Sequence, residues 1–72
     1  MITIGDKVQF VPSFNESQAL TAEERKAATV AGEVVYINYR NKYFTVQFKN
    51  GPETVKESFK FYDIGKRVHI CE

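Results

Sequence analysis

One stretch of the chain, residues 30–48 with the sequence VAGEVVYINYRNKYFTVQF, restricts the possible folds more than any other. Both of its ends are rich in β-branched and aromatic residues, which favour strands. The stretch therefore predicts two adjacent strands joined by a short turn. The turn is polar and carries Tyr39, Arg40, Asn41, Lys42 and Tyr43.

The two predicted strands of this stretch differ in their periodicity. In the second strand, from about residue 42 to 49, Phe44, Val46 and Phe48 alternate with more polar residues and share one face. In the first strand, from about residue 29 to 38, apolar residues run consecutively over 34–37. Such a run predicts a strongly bent strand that buries parts of both faces. Gly32 is the position where that strand bends or where another backbone approaches it.

The segment before this stretch predicts one strand and one short helix. Residues 7–11 alternate as a strand, and Pro12 ends it because proline cannot donate to a ladder. In residues 21–29, TAEERKAAT, Thr21 and Glu24 have the spacing of a capping box, which predicts about two turns of helix. We expect this helix to contact the rest of the chain through Leu20, Ala22 and Ala27.

The segment after residue 48 predicts two further strands and a tight turn. Asn50-Gly51 indicates a hairpin leading into a strand over roughly 53–59, because both residues tolerate positive φ. The following FKFYDIG predicts a 3₁₀ turn that turns Phe59 or Phe61 inward and ends at Gly65. A last strand over 66–71 follows, with His69 and Cys71 on its outward face.

This order of elements predicts one all-β domain, residues 1–72, with five strands, a short helix in the first long loop and a 3₁₀ turn before the last strand. It resembles a five-stranded SH3-like barrel, whose long loop also follows the first strand. The predicted core consists of Val8, Phe10, Val34, Ile37, Phe44, Val46, Phe48, Val55, Phe59, Ile64, Val68 and Ile70.

Two fragments carry a further resemblance. GDKVQF at 5–10 and GEVVYI at 32–37 resemble the two halves of the KOW pattern of ribosomal and transcription-elongation proteins. The resemblance implies a small β-barrel and, for the family, RNA or ribosome binding. Here about twenty residues, acidic and partly helical, replace the short basic loop between the halves, and the glycine-basic cluster is absent. The whole chain also looks like small uncharacterised phage or mobile-element proteins of Gram-positive bacteria.

The residue types needed for chemistry are scarce. Cys71 is the only cysteine and His69 the only histidine, so neither an intramolecular disulfide nor a closed four-ligand zinc site can form. Glu23 and Glu24 suit the first turn of a helix and need no catalytic explanation. Neither a phosphate-binding glycine loop nor a nucleophile elbow is present. We expect no enzyme, no metal and no cofactor, and no small-molecule substrate.

Charge and hydropathy limit the class of protein. Ten basic and nine acidic residues give a net charge of +1, which is less basic than most obligate nucleic-acid binders. Residues 1–38 carry three basic and five acidic side chains (−2), and residues 39–72 carry seven and four (+3). The start lacks the regions of a signal peptide, and no apolar run is long enough to span a membrane. A soluble, cytoplasmic protein is expected.

Three binding hypotheses remain open. The first is a non-catalytic protein-interaction module, such as a small regulator or adaptor encoded by a phage or mobile element. The second is an RNA- or DNA-binding domain in which aromatic rings stack on bases and cations meet phosphates. Its binding residues are Tyr39, Arg40, Asn41, Lys42 and Tyr43. Its positive surface is extended by Lys49, Lys56, Lys60, Lys66 and Arg67.

The third hypothesis is recognition of proline-rich peptides by a groove of Phe14, Glu16, Glu23 and Tyr62. The chain lacks the ALYDY-type opening and the tryptophan pair of signalling SH3 domains. A structural explanation stands beside all three, because strand-end tyrosines also pack on their neighbours and lysines keep strand edges soluble.

Overall fold

The protein has a mostly β fold, seen in a computed structural model that describes residues 2–13 and 21–71. The elements are β1 (Lys7–Phe10), α1 (Ala22–Ala28), β2 (Val30–Asn38), β3 (Tyr43–Asn50), β4 (Glu53–Lys60), a 3₁₀ turn (Phe61–Asp63) and β5 (Val68–Ile70). The predicted order of elements is confirmed. The last strand is shorter than the predicted 66–71.

The five strands form one antiparallel sheet in the order β4-β3-β2-β1-β5. Strands β4 and β5 are its two edges, and no pairing joins them within the described part of the chain. The sheet is therefore not closed by hydrogen bonds, and the closed barrel that the sequence predicts is not confirmed.

Strand β2 contains a β-bulge at Val35, within the consecutive apolar residues for which the sequence predicts a bent strand. Val34 pairs with Val46 and Tyr36 with Thr45, so Val35 is an extra residue without a partner on β3. This β-bulge reverses the alternation of the side chains at one point. As a result Val34 and Ile37 both face the core, although they are three residues apart, and Tyr36 between them faces outward.

Gly32 lies at a close approach between strands. A Cβ atom built on it would be 3.0 Å from the backbone oxygen of Gln47 and 3.0 Å from Cε1 of Phe10. The prediction that another backbone approaches here is confirmed. The glycine is needed for space rather than for an unusual φ, since the residues with positive φ are found elsewhere.

The core lies on one face of the sheet and is dominated by aromatic contacts. The Phe10 ring meets Phe48 edge-on at 5.1 Å and Phe59 at 5.2 Å, while Phe44 stacks on Phe59 at 5.9 Å between centroids. The predicted core residues that are buried are Val8, Phe10, Val34, Phe44, Val46, Phe48, Phe59 and Val68. Those that are half-buried against it are Ile37, Val55, Ile64 and Ile70. Ile2 and Val11 are also buried, which the sequence pattern did not predict.

Helix α1 begins as predicted but does not pack as predicted. The capping box is present, because the Glu24 amide donates to Thr21 Oγ1 at 3.1 Å and the Thr21 amide donates to Glu24 Oε1 at 3.1 Å. The expected contacts through Ala22 and Ala27 are wrong, since both residues are exposed and none of the helix is buried. The apolar side chains of this helix are alanines only, which offer little surface to the sheet, and only Ala28 is half-buried. Leu20, the third expected contact, lies outside the described residues.

The hairpin between β3 and β4 forms one residue later than predicted. Asn50 pairs with Glu53, so Gly51 and Pro52 form its tip. Gly51 adopts φ of 64°, whereas Asn50 is not among the residues with positive φ. Proline at the next position, with its φ restricted to the negative range, favours this two-residue turn over one centred on Asn50-Gly51.

Candidate binding surface

The four tyrosines of the chain lie at the same end of the sheet. Tyr36 lies on β2, Tyr39 in the β2–β3 turn, Tyr43 at the start of β3 and Tyr62 in the 3₁₀ turn. Tyr36 is 48% exposed, Tyr39 57% and Tyr62 71%, while Tyr43 is half-buried. We call these four residues the tyrosine surface.

The bulge in β2 creates the first half of the tyrosine surface. It turns Tyr36 outward, onto the face of the sheet that Tyr43 also occupies, and the two ring centroids are 6.0 Å apart. The side-chain Nδ2 of Asn38 donates to the Tyr36 hydroxyl at 3.4 Å. Across the neighbouring strand pair, the hydroxyls of Thr45 and Ser58 are hydrogen-bonded at 2.8 Å. This face therefore combines two aromatic rings with hydroxyl groups.

The β2–β3 turn is fixed by hydrogen bonds to its surroundings. The Asn41 amide donates to Asn38 Oδ1 at 2.9 Å, and Lys42 adopts φ of 58°. The carbonyl of Lys42 accepts from the amide of Phe61 at 2.9 Å. These bonds hold the turn against the 3₁₀ turn, which carries Tyr62.

The five predicted binding residues have different environments. Arg40, Asn41 and Lys42 are exposed in the turn, whereas Tyr43 is half-buried within β3. Tyr39 is exposed, but its ring also packs against Phe61 with centroids 6.0 Å apart. The structure thus places all five together and adds a structural role for the two tyrosines.

A groove of about 440 Å³ runs beside Tyr43 and Tyr62 along the end of β4. Lys60 Nζ lies 6.0 Å from the centroid of the Tyr43 ring. Arg67 also lines the groove. Its guanidinium lies 5.3 Å from the centroid of Phe59, and its Nη1 is 3.9 Å from Asp63 Oδ2. The groove therefore combines aromatic faces with two cations.

Asp63 is the acidic residue of this groove and has a structural role. It is 7% exposed, and its Oδ2 accepts from the Lys60 amide at 3.1 Å. Its backbone carbonyl accepts from the amides of Lys66 and Arg67, both at 2.9 Å. Asp63 thus fixes the 3₁₀ turn and the approach to β5, which explains its burial.

The other cations that the sequence assigned to one positive surface are separated. Lys49 and Lys56 lie toward the hairpin end of β3 and β4, and Lys49 Nζ donates to Thr54 Oγ1 at 2.9 Å. Lys60 and Arg67 line the groove beside the tyrosine surface. Lys66 lies on the other side of Arg67, in a second groove.

The two carboxyl groups with a shifted pKa are held by local hydrogen bonds away from the tyrosine surface. Thr3 donates to Asp6 from its amide and its hydroxyl, both at 2.9 Å, and these bonds lower the pKa of Asp6. The pKa of Glu24 is lowered chiefly by the Thr21 amide of the capping box. Both shifts are explained by turn and cap geometry, and neither indicates an acid–base pair.

His69 and Cys71 are the residue types best suited to catalysis or metal binding. Both are exposed at the edge of the sheet. No cluster of three or more His, Cys, Asp or Glu suited to a metal ion occurs in residues 2–13 and 21–71. Of the four residues considered for a proline-peptide groove, Phe14 and Glu16 lie outside the described residues. Glu23 is exposed on α1, and Tyr62 belongs to the tyrosine surface.

No protein-family model, curated protein or solved structure matches this chain. In the described part of the chain no helix is long and apolar enough to cross a membrane.

Proposed function

We propose that this protein is a non-catalytic protein-interaction module, a small regulator or adaptor, and that the tyrosine surface is its contact surface. The observation that carries the proposal is the exposure of Tyr36, Tyr39 and Tyr62 at one end of the sheet. Tyrosine offers a large apolar ring and a hydroxyl that hydrogen-bonds, with few rotatable bonds to immobilise, and it is enriched among residues that dominate binding energy.

The surroundings of the tyrosine surface support the same proposal. Its rings are kept in place by their neighbours, Tyr43 by Tyr36 and Tyr39 by Phe61, so binding would order few further groups. Tyr62 is the most exposed of the four and lies in a turn fixed by the buried Asp63. A preformed aromatic centre edged by polar and charged groups is typical of protein-binding surfaces.

The proposed fold of this module is an SH3-like barrel. Supporting it, the amide and hydroxyl of Ser13 donate to Glu57 Oε1 at 3.0 and 3.1 Å. These bonds bring the chain that follows β1 onto the edge strand β4, which is separated from β1 in the sheet order by the two strands β2 and β3. The bulge at Val35 adds the curvature that such an approach requires.

Replacing Tyr62 by alanine should weaken capture of the partner without unfolding the protein. Because the ring is largely exposed, its loss should leave the melting temperature within a few degrees of the wild type. Loss of a central aromatic contact should lower partner recovery by at least about tenfold. The measurement is a pull-down from the native host, with and without nuclease treatment, quantified by mass spectrometry.

The matched control for Tyr62→Ala is Thr54→Ala, which truncates an exposed neutral residue at the opposite end of β4. The control should recover the partner as well as the wild type does. Equal recovery by Tyr62→Ala and the wild type would contradict the proposal, and so would a partner that nuclease removes.

A second candidate function, RNA or DNA binding, is favoured by one specific observation. Arg40 and Lys42 are exposed in the turn beside Tyr39 and Tyr43, so cations lie next to aromatic faces. Single-stranded nucleic acids bind such surfaces by stacking their bases on aromatic rings while cations meet the phosphates.

For this second candidate, the double variant Arg40→Ala/Lys42→Ala should bind labelled single-stranded RNA more weakly and with less dependence on salt. Removing two phosphate contacts should reduce the slope of log affinity against log salt by about 1.4, at about 0.7 per contact for single strands. Fluorescence anisotropy at about 50 to 200 mM salt measures both the affinity and its dependence on salt. An unchanged slope would exclude the turn as a phosphate-binding element.

A further inference from the structure

A second groove lies on the opposite side of Arg67 from the tyrosine surface, between α1, β1 and β5. Its volume is about 690 Å³. Arg25 and Lys26 reach it from α1, Lys66 and Arg67 from the turn before β5, and His69 from β5 itself. We call these five residues the basic groove.

The basic groove concentrates positive charge in a chain that is nearly neutral overall. Four of its residues are Lys or Arg, and no carboxylate occurs among the described residues that line it. The side chains of Lys26 and Lys66 form no ion pair or hydrogen bond with any described residue. Arg67 forms an ion pair with Asp63, in which the Arg67 Nη1 atom lies 3.9 Å from the Asp63 Oδ2 atom. Cations gathered in one concave surface reinforce each other's field and attract anions.

The exposed residues among the remaining lining of the basic groove are of polar types. Gln9 and Thr29 are exposed, and the Gln9 side chain can donate hydrogen bonds, whereas Phe10 is 2% and Val11 7% exposed. The Thr29 hydroxyl already donates to the Arg25 carbonyl at 2.8 Å. A protein partner would bury apolar and aromatic groups at the centre of its interface, and the groove offers few. A phosphate backbone needs cations and hydrogen-bond donors instead, and it needs no apolar contact.

We propose that the basic groove binds the phosphate backbone of a nucleic-acid strand. The groove provides cations from two segments that are distant in sequence, α1 and the turn before β5, so a strand that follows it would meet charge from both. This assignment goes beyond the proposed function and does not depend on what the tyrosine surface binds. Arg67 lines both grooves, so the two surfaces are contiguous.

The test is the binding of a fluorescein-labelled, mixed-sequence 12-nucleotide RNA, and of the DNA of the same sequence, to the double variant Lys26→Gln/Lys66→Gln. Both lysines are exposed, so the variant should fold. We expect its affinity at low salt to fall by at least about tenfold, and the slope of log affinity against log salt to fall by about 1.4. The wild type should bind at low salt and lose affinity steeply as salt rises.

Two matched double variants each remove two positive charges outside the basic groove. Lys49→Gln/Lys56→Gln lies on β3 and β4, which contribute no described residue to the lining of the basic groove, and should keep wild-type affinity. Arg40→Ala/Lys42→Ala removes two charges from the β2–β3 turn. It therefore distinguishes phosphate binding by the turn from phosphate binding by the basic groove. If only this variant weakens binding, the turn is the phosphate site and the proposal for the basic groove is overturned. It is also overturned if the wild type binds neither oligonucleotide at low salt, or if all three variants lose affinity equally.

Discussion

Replacing Phe44 by aspartate should unfold the protein. Phe44 is fully buried at the centre of the sheet, and its ring packs on Phe59 at 5.9 Å and on Phe61 at 6.3 Å between centroids. Losing a buried phenylalanine costs about 3–5 kcal/mol, and burying an unpaired carboxylate adds several kcal/mol more. A chain of 72 residues is expected to be stable by only about 5 kcal/mol.

Far-UV circular dichroism during heating measures this result. Phe44→Asp should show no cooperative transition, whereas the control Phe44→Leu should keep one. The leucine variant retains an apolar side chain, so it should lose about 1–2 kcal/mol and melt roughly 5–15 °C lower. A Phe44→Asp protein with the thermal transition of the wild type would contradict the placement of β3 and of the core.

Replacing Gly32 by valine should also destabilise the protein, for a different reason. The valine Cβ would lie 3.0 Å from the Gln47 backbone oxygen and from Phe10 Cε1, and its two methyl groups would crowd the same space. The Gln47 oxygen belongs to the β2–β3 pairing and Phe10 to the core, so neither can move cheaply. Such overpacking costs about 1–3 kcal/mol or more, which lowers the melting temperature by roughly 4–8 °C per kcal/mol in a domain of this size.

Ala31→Val is the control for Gly32→Val. Ala31 is the preceding residue of β2 and is exposed, so valine there is compatible with a strand and meets no packed neighbour. Its melting temperature should stay within a few degrees of the wild type. Equal melting temperatures for Gly32→Val and Ala31→Val would show that β2 and β3 do not approach each other as closely as described.

The strands and most of the core were predictable because both depend on local periodicity. The alternation of Phe44, Val46 and Phe48 fixes which face of β3 is buried. The consecutive apolar residues of β2 predict a bent strand, but they do not show which residue is the unpaired one, Val35. Ile2 was missed because it lies before the first strand and belongs to no periodic pattern. The alanines of α1 were misjudged because helix propensity predicts that a helix forms, not what it packs against.

The binding surfaces were predictable only where they are local in sequence. The turn of residues 39–43 is contiguous, so its aromatic and cationic residues are visible in the sequence. Tyr36 joins Tyr43 only because a bulge turns it outward, and Tyr62 joins them only through the 3₁₀ turn. The basic groove brings α1 next to β5, elements that are about forty residues apart, and no local pattern indicates that meeting.

Site-specific photocrosslinking tests the central claim, that the tyrosine surface is the contact surface, most directly. In one variant p-benzoylphenylalanine replaces Tyr62, and in a second variant it replaces Thr54. Each variant is irradiated in nuclease-treated extract of the native host. The account predicts a protein adduct at position 62 that is weak or absent at position 54. Equal adducts at both positions, or none at position 62, would contradict it.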